Sequence, residues 1–386
     1  MNLQSSRAIL AITAGMCVLT AGIIHGQNTT PPNAQTNAAA TQRPQMAEEV
    51  FKSVQLLKGI PVDEFMDTMG FFSASTNLNC IDCHGAAAGG GWEHYADETP
   101  MKAKARKMML MVQALNRDNF GGTPFVTCYT CHRGDMRPAD TPSLAVQYSS
   151  PTIDPNEMEV TRQAAGAPSA DEIFAKFIQA LGGAQRLAGV TSFVAKGTYN
   201  GYDTEFEDVP IEIYAKAPGL RSTVIHLRSG DSITSFDGRN GWIDEADKPV
   251  PLIQLTGGEL DGARVDASIA FPATLSQVRT TWRVGNTGID DRRVFIVEGT
   301  GGSPQPVKLY FDRDSGLLVR QVRYVQLRIG RVPAQFDYDD YREVAGVKIP
   351  FKVVATWVDG RSTTKLMEVQ ANVPIDGSRF ARPSTR

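Results

Sequence analysis

The sequence predicts a multidomain protein in which a small all-α domain is followed by an α+β domain with a curved antiparallel sheet, a half-barrel, over helices. The first observation is a change of hydrophobic period. Apolar residues recur at helical spacing up to about residue 120, but from Thr191 they alternate every second residue. The second is the stretch from 134 to 168, where five prolines among polar residues are typical of an inter-domain linker. A chain of 386 residues is long enough for two cores.

Two pentapeptides in the all-α part share the pattern CxxCH. Two cysteines at this spacing, followed directly by a histidine, are the attachment motif of a c-type haem. Each thiol adds to one vinyl group of the porphyrin, and the adjacent imidazole binds the iron as the proximal ligand. The sequence therefore predicts two covalently bound c-type haems, attached and ligated by Cys80, Cys83, His84, Cys128, Cys131 and His132.

Other uses of paired cysteines explain the pattern less well. Zinc ribbons also contain two CxxC pairs, but about 15–20 residues usually separate the pairs, and here Cys83 and Cys128 are much farther apart. A zinc ribbon or a disulfide also gives no reason for a histidine after each pair. A thioredoxin-like CxxC requires a βαβ pattern, which the flanking sequence lacks.

The N-terminus predicts export. Arg7 is followed by an uncharged apolar run from Ala8 to Ile24, which is typical of a secretory signal and near the lower limit for an uncleaved anchor. We therefore assign residues 1–27 to a signal peptide or anchor and the polar residues 28–45 to a disordered tether. Because bacteria attach c-type haem outside the cytoplasm, a location in the periplasm or cell envelope is expected.

Three helices are predicted around the CxxCH motifs. Apolar spacing indicates a first helix from Ala47 to Lys58, a second from Pro61 to about Ser73, and a third that begins at about Thr99. The second and third helices each carry methionines three residues apart, and such residues share a helix face. The layout of a methionine-bearing helix followed by a loop and CxxCH therefore occurs twice.

Methionine is a common sixth ligand of c-type haem, and its thioether raises the reduction potential. On the second helix the candidates are Met66 and Met69, and on the third they are Met108 and Met111. A methionine at helical spacing is also a common core residue, so the repetition is what favours ligation. His94, in the loop between the helices, is a rival sixth ligand.

Residues 46–140 resemble the tetrahaem cytochrome subunit of photosynthetic reaction centres. The matching segments are Val54–Leu57, Gly59–Pro61, Met69–Phe72 with Asn79 and Cys80, and above all Val126–Gly134. The resemblance implies a di-haem c-type cytochrome domain, with Met69 as the sixth ligand of the first haem and Met108 as that of the second. The family has four haem sites whereas this chain has two, so the resemblance covers a di-haem half.

The C-terminal part begins with a capping box at Ser169–Glu172, and a further helix is predicted near Glu259 to Ile269. Strand candidates alternate with turn sequences such as Asn240-Gly241 and Asp359-Gly360, which predicts an antiparallel meander. This pattern, over about residues 169–380, is similar to the outer-membrane lipoprotein carrier fold. The resemblance implies an apolar cavity, and no catalytic motif accompanies it.

The sequence thus predicts an exported di-haem cytochrome that transfers electrons and is not an enzyme. Its divisions are a cytochrome domain at 46–140, a linker at 141–168 and a β domain at 169–386 that binds a partner, an envelope component or an apolar ligand. The expected partner is a redox protein, with a membrane complex as a further possibility. A net charge of −3 gives no reason to expect nucleic acid. Two alternatives are a lipophilic-ligand carrier with redox-sensing haems and a di-haem peroxidase.

Overall fold

The computed structural model describes residues 43–147 and 154–384. The predicted signal or anchor and most of the predicted tether lie outside the described residues. Within these ranges no helix combines the length and the apolar character needed to cross a membrane.

The helices of the described residues fall into two groups along the sequence, one before residue 148 and one after residue 169. The first group is α1 (Ala47–Val50), α2 (Val62–Thr76), α3 (Cys80–His84), α4 (Pro100–Asn119), α5 (Cys128–His132) and α6 (Leu144–Gln147). The second group is α7 (Ala170–Ala180), α8 (Ala184–Ala188) and α9 (Gly257–Ala270). Short 3₁₀ helices lie at Ala86–Gly90, Trp92–Ala96, Tyr202–Thr204, Pro272–Val278 and Gly377–Phe380.

Thirteen strands of the described chain form one open antiparallel sheet. The first six are β1 (Ser192–Gly201), β2 (Val209–Lys216), β3 (Leu220–Leu227), β4 (Gly230–Phe236), β5 (Gly241–Glu245) and β6 (Leu252–Gln254). The other seven are β7 (Thr281–Ile289), β8 (Arg292–Thr300), β9 (Val307–Asp312), β10 (Leu318–Leu327), β11 (Gly330–Val344), β12 (Val347–Trp357) and β13 (Gly360–Ala371). Their order is β6-β5-β4-β3-β2-β1-β13-β12-β11-β10-β9-β8-β7, so two meanders meet where β1 pairs with β13.

Several local predictions are confirmed, because caps and turns depend on neighbouring residues. Thr99 caps α4 by accepting a hydrogen bond from the Lys102 amide, and Ser169 forms the predicted capping box with Glu172 at the start of α7. The predicted helix from Ala47 to Lys58 is wrong in length, because α1 ends at Val50. The later apolar residues of that segment, Val54 and Leu57, lie in irregular turns and pack against a core cluster. Their spacing therefore reflects packing and not a helix.

Side chains of α7 and α9 fill one face of the sheet. Phe174 and Phe177 of α7 and Val265 of α9 pack in one cluster with residues of β7, β8 and β9. Two adjacent cavities of about 360 and 390 Å³ lie along the sheet, and both are lined by polar side chains, including Arg361, which they share. Neither is the apolar cavity that the carrier resemblance implies.

Residues 154–168, which fall in the predicted linker, pack on the sheet. The Lys308 ammonium donates hydrogen bonds to the carbonyls of Asn156 and Met158, and the Tyr310 hydroxyl donates to the carbonyl of Pro155. Val160 is buried in a cluster on the face opposite to α7 and α9. Strand β9 is therefore covered on both faces, and for this reason it is buried at each position from Val307 to Phe311.

Candidate haem-attachment site

Each CxxCH pentapeptide forms a single turn of α-helix. Asn79 caps α3 by accepting hydrogen bonds from the next backbone amides, and Thr127 caps α5 in the same way. In each turn the two cysteines stand three residues apart and so share a face. All four thiols are free of disulfides. Both pentapeptides therefore present two thiols on one side and a histidine at the helix end.

The His84 ring is oriented by a backbone carbonyl. Its Nδ1 lies 2.9 Å from the carbonyl oxygen of Tyr95, and the Tyr95 ring packs beside it with the ring centroids 4.7 Å apart. A carbonyl oxygen can only accept a hydrogen bond, so Nδ1 carries the proton and Nε2 keeps its lone pair. Burial lowers the pKa of His84, which also favours the neutral ring. A neutral histidine with Nδ1 bonded to a carbonyl is the usual form of a metal ligand.

His132 repeats this arrangement in the second pentapeptide. Its Nδ1 lies 2.9 Å from the carbonyl oxygen of Asp135, three residues further along the chain. The intervening Gly134 donates its backbone amide to the carbonyl of Ser75 at the end of α2. The turn that orients His132 is therefore fixed to α2.

Lys102 and Thr99 connect the first pentapeptide to α4. The Lys102 ammonium donates to the Tyr95 carbonyl at 3.1 Å, which is the same oxygen that orients His84. The Thr99 hydroxyl donates to the carbonyl of Cys83 while it also caps α4. The start of α4 thus fixes both the attachment turn and the acceptor of its histidine.

Asn116 connects the last part of α4 to the second pentapeptide. Its buried side-chain amide donates to the Val126 carbonyl at 2.7 Å and accepts from the Val126 amide at 2.8 Å. Val126 lies two residues before Cys128. The approach of the chain to the second attachment turn is therefore set by a side chain that satisfies both backbone groups.

Large apolar side chains are exposed beside both pentapeptides. Phe125 is 71% exposed and stacks on Phe120 with the ring centroids 4.9 Å apart. Others in the same region are Ile81, Trp92, Met108, Leu110, Met111, Leu115 and Tyr129. Such a concentration of apolar surface indicates a binding site, and porphyrin is a flat apolar group that would cover it. The donor set and this surface both fit covalent haem.

The structure places the candidate sixth ligands on two helices, as expected from their positions in the chain. On α2, Met69 is partly buried and packs against a core cluster, whereas Met66 is 40% exposed. On α4, Met108 is 37% exposed and Met111 is 45% exposed. His94 is hydrogen-bonded through Nδ1 to the Asp97 carboxylate at 3.0 Å. In each methionine pair the less exposed member is the one that the resemblance favours.

Sequence reasoning missed the groups that orient the histidines. The acceptors are backbone carbonyls of Tyr95 and Asp135, and no residue type predicts a carbonyl that accepts from a particular imidazole. Lys102 and Asn116 were visible only as a charged and a polar residue on a helix. The one available signal for Asn116 was a carboxamide among apolar residues of the predicted α4 face.

Solved structures similar to this chain have been identified by fold. A LolA superfamily protein from Nitrosomonas europaea is 14% identical with a TM-score of 0.40, and the match covers 56% of this chain and 98% of that one. A putative outer membrane lipoprotein-sorting protein domain from Vibrio parahaemolyticus is 8% identical with a TM-score of 0.35, covering 51% of this chain and 93% of that one.

Relatives of the N-terminal part are found by sequence. The chain is 38% identical over 96 residues to the photosynthetic reaction center cytochrome c subunit of Thermochromatium tepidum and 31% identical over 104 residues to that of Roseobacter denitrificans. These matches cover 24% and 25% of this chain but only 22% and 27% of the relatives. The chain thus spans about a quarter of their length. Residues 18–179, which include both CxxCH turns, match the family described as "Photosynthetic reaction centre cytochrome C subunit".

Proposed function

We propose that the protein is an exported di-haem c-type cytochrome that transfers electrons. The observation that carries this proposal is the pair of one-turn CxxCH helices, in which His84 and His132 each bond Nδ1 to a backbone carbonyl and leave Nε2 free. The match to the cytochrome subunit family over residues 18–179 supports it.

Six residues would hold the two haems at the CxxCH turns, and two methionines would complete the iron coordination. In this proposal Cys80 and Cys83 attach the first haem, Cys128 and Cys131 attach the second, and Met69 and Met108 supply the sixth ligands. Haem iron supplies the chemistry, which is reversible uptake of one electron. The polypeptide orients each histidine through a hydrogen bond from Nδ1 to a backbone carbonyl, which leaves Nε2 to face the iron. If a histidine and a methionine both held each iron, a substrate would find no free position there, and for this reason we favour electron transfer over peroxidase chemistry.

The sheet part is proposed to bind the partner. The two cavities described above are lined mainly by charged and polar side chains, which favours a protein or another polar envelope component over an apolar ligand there. We retain the proposed divisions of a cytochrome domain at 46–140, a connection at 141–168 and a β domain at 169–386. A redox protein in the periplasm or cell envelope, alone or in a membrane complex, is the partner class that this arrangement would serve.

The test is a reductive titration followed optically on full-length protein produced with the haem-attachment machinery. Two covalent haems should appear by mass and by spectrum, and the ferric protein should show the weak long-wavelength band of thioether ligation. Met69→Ala and Met108→Ala should each remove part of this band and lower one midpoint potential.

Met101→Ala provides a control, since Met101 lies on α4 without a proposed ligand role. It should leave the band and both potentials unchanged. If Met66→Ala or Met111→Ala lost the band instead, the sixth ligand would lie one helical turn away from Met69 or Met108, and the assignment would be wrong. Colourless protein with the mass of the bare polypeptide would refute the function itself.

A further inference from the structure

The hairpin formed by β10 and β11 packs on α2 and on the first residue of α5, the helix that carries the second haem motif. Its buried apolar residues Val325, Leu327, Ile329 and Val332 form a single cluster with two residues from before the linker, Phe71 and Cys128. Phe71 belongs to α2, and Cys128 is the first attachment cysteine of the second CxxCH turn. The two parts of the chain therefore share a core at the second haem motif.

Contact between this hairpin and α2 is close. A side-chain Cβ at Gly330 would overlap the ring of Phe71, so glycine is required for the ring to lie against the strand. At the hairpin tip, the Arg328 amide donates to the Glu64 carboxylate at 3.2 Å, and the Arg328 guanidinium donates to the Lys58 carbonyl at 2.8 Å. Apolar packing and polar bonds therefore hold the same hairpin against the same helix.

Burial differs among the four attachment cysteines. Cys128 is 9% exposed, whereas Cys80 and Cys131 are exposed and Cys83 is intermediate. The protein thus shields one side of the second attachment turn with the β10–β11 hairpin.

Shielding from water changes the reduction potential of a haem. Ferric haem carries one more positive charge than ferrous haem, so a low-dielectric, water-free surrounding disfavours the ferric form and raises the reduction potential. Apolar residues packed behind the attachment turn act in this direction. Opening that side to water should lower the potential.

We infer that the β10–β11 hairpin forms one wall of the second haem site, so that the β domain sets the potential of this haem. The inference rests on the proposed function, because it requires haem at Cys128. It makes the sheet part a component of the redox centre as well as a partner-binding domain, and any partner that moves the hairpin would change the driving force for electron transfer.

The test compares two leucine truncations in the full-length holoprotein. Leu327→Ala opens the wall, while Leu309→Ala removes the same atoms from a buried position of β9 that packs under α7. We expect Leu327→Ala to lower one midpoint potential and Leu309→Ala to leave both unchanged, although both lower the unfolding temperature. Equal potentials in the two variants would overturn the inference.

A second variant and an assignment step complete the test. Gly330→Ala adds a methyl group that displaces Phe71, so it should shift the same potential even if Leu327→Ala does not fold. An unchanged potential in Gly330→Ala would contradict the proposal that the hairpin lines the second haem site. In protein that also carries Cys128→Ala, Cys131→Ala and His132→Ala, the Leu327→Ala shift should disappear. A shift that persists there belongs to the first haem and refutes the inference, whereas wild-type protein without haem refutes the proposed function.

Discussion

Single hydrogen bonds fix the orientation of the histidine rings and of the backbone at the two CxxCH turns. In His84 and in His132 the bond from Nδ1 to a carbonyl fixes both the tautomer and the rotation of the ring. Asn116 acts on the backbone instead, because its amide pairs with both the N–H and the C=O of Val126. Only a side chain with a donor and an acceptor in this geometry satisfies both groups.

Asn116→Leu should therefore weaken the second site. The change keeps the volume but leaves two partly buried backbone groups of Val126 without the Asn116 amide, at a cost of about 1 kcal/mol in the free energy of unfolding. The loop before Cys128 is released, so the second haem should show a weaker thioether band in the ferric spectrum. Chemical unfolding and optical spectra of the holoprotein check both expectations.

Asn119→Leu is the matched control for this change. Asn119 is exposed on the same helix, and its amide donates only to the Leu115 carbonyl. This variant should keep the stability and the spectrum of the wild type. If the two leucine variants behave alike, the pairing with Val126 does not support the second site.

At the scale of elements, the sequence predicts what nearby residues determine. The start of the third predicted helix near Thr99, the capping box at Ser169 and the turns before Gly241 and Gly360 depend on side chains within a few positions, and these predictions hold. The first helix is shorter than predicted because the apolar spacing of Val54 and Leu57 reflects burial against α2 and α4. No local pattern distinguishes these two causes of apolar spacing.

Contacts between distant segments explain the other differences. Residues 154–168 are rich in proline and polar groups, yet they lie on the sheet because Lys308 and Tyr310 donate to their carbonyls. Every residue has a backbone carbonyl, so the residue types of this segment do not show which carbonyls accept hydrogen bonds from the sheet. The two CxxCH motifs are visible in the sequence because haem attachment requires these residue types. The helical turns that the motifs form and the carbonyls that orient their histidines could not be predicted.

Lys308→Met tests the attachment of this segment. The methionine keeps an apolar stem at a buried position but loses the hydrogen bonds to the carbonyls of Asn156 and Met158, so the folded state should lose about 1–3 kcal/mol. Residues 154–160 should then become the first site of limited proteolysis. Lys348→Met, at an exposed position of β12, should change neither property. An unaltered cleavage pattern in Lys308→Met would show that the remaining contacts, such as the Tyr310 bond to the Pro155 carbonyl and the burial of Val160, retain the segment without Lys308.

At the scale of the whole molecule, the described residues from Arg43 onward form one compact unit. Asp63, near the start of α2, makes one of the polar contacts between the helical and sheet parts. Its carboxylate accepts from the Thr256 amide at 2.5 Å and from the Thr256 hydroxyl at 2.8 and 2.9 Å. Because Thr256 caps α9, this carboxylate lies between the positive ends of two helices.

The pH dependence of stability should reveal this contact. Burial raises the pKa of Asp63 above its usual value, and the nearby Glu259 adds to the effect, although the hydrogen bonds from Thr256 oppose it. The stability contributed by Asp63 is therefore complete below the unfolded pKa, about 4, and is lost as the pH rises through the higher folded pKa. Asp63→Asn keeps an acceptor for the Thr256 amide and has no such loss.

As the pH rises from about 4 towards neutrality, the wild type should therefore lose unfolding free energy relative to Asp63→Asn. Above the folded pKa of Asp63 this difference should stay constant. Urea unfolding at several pH values measures this difference. Because the Asp63 carboxylate also helps to raise the pKa of Asp67, the measured difference includes this coupling between the two carboxyl groups. Asp63→Ala, which leaves the Thr256 amide without its acceptor, should be less stable than Asp63→Asn by about 1–3 kcal/mol at each pH. A difference between wild type and Asp63→Asn that does not change with pH, together with equal stability of the two variants, would mean that Asp63 does not hold α2 against the sheet.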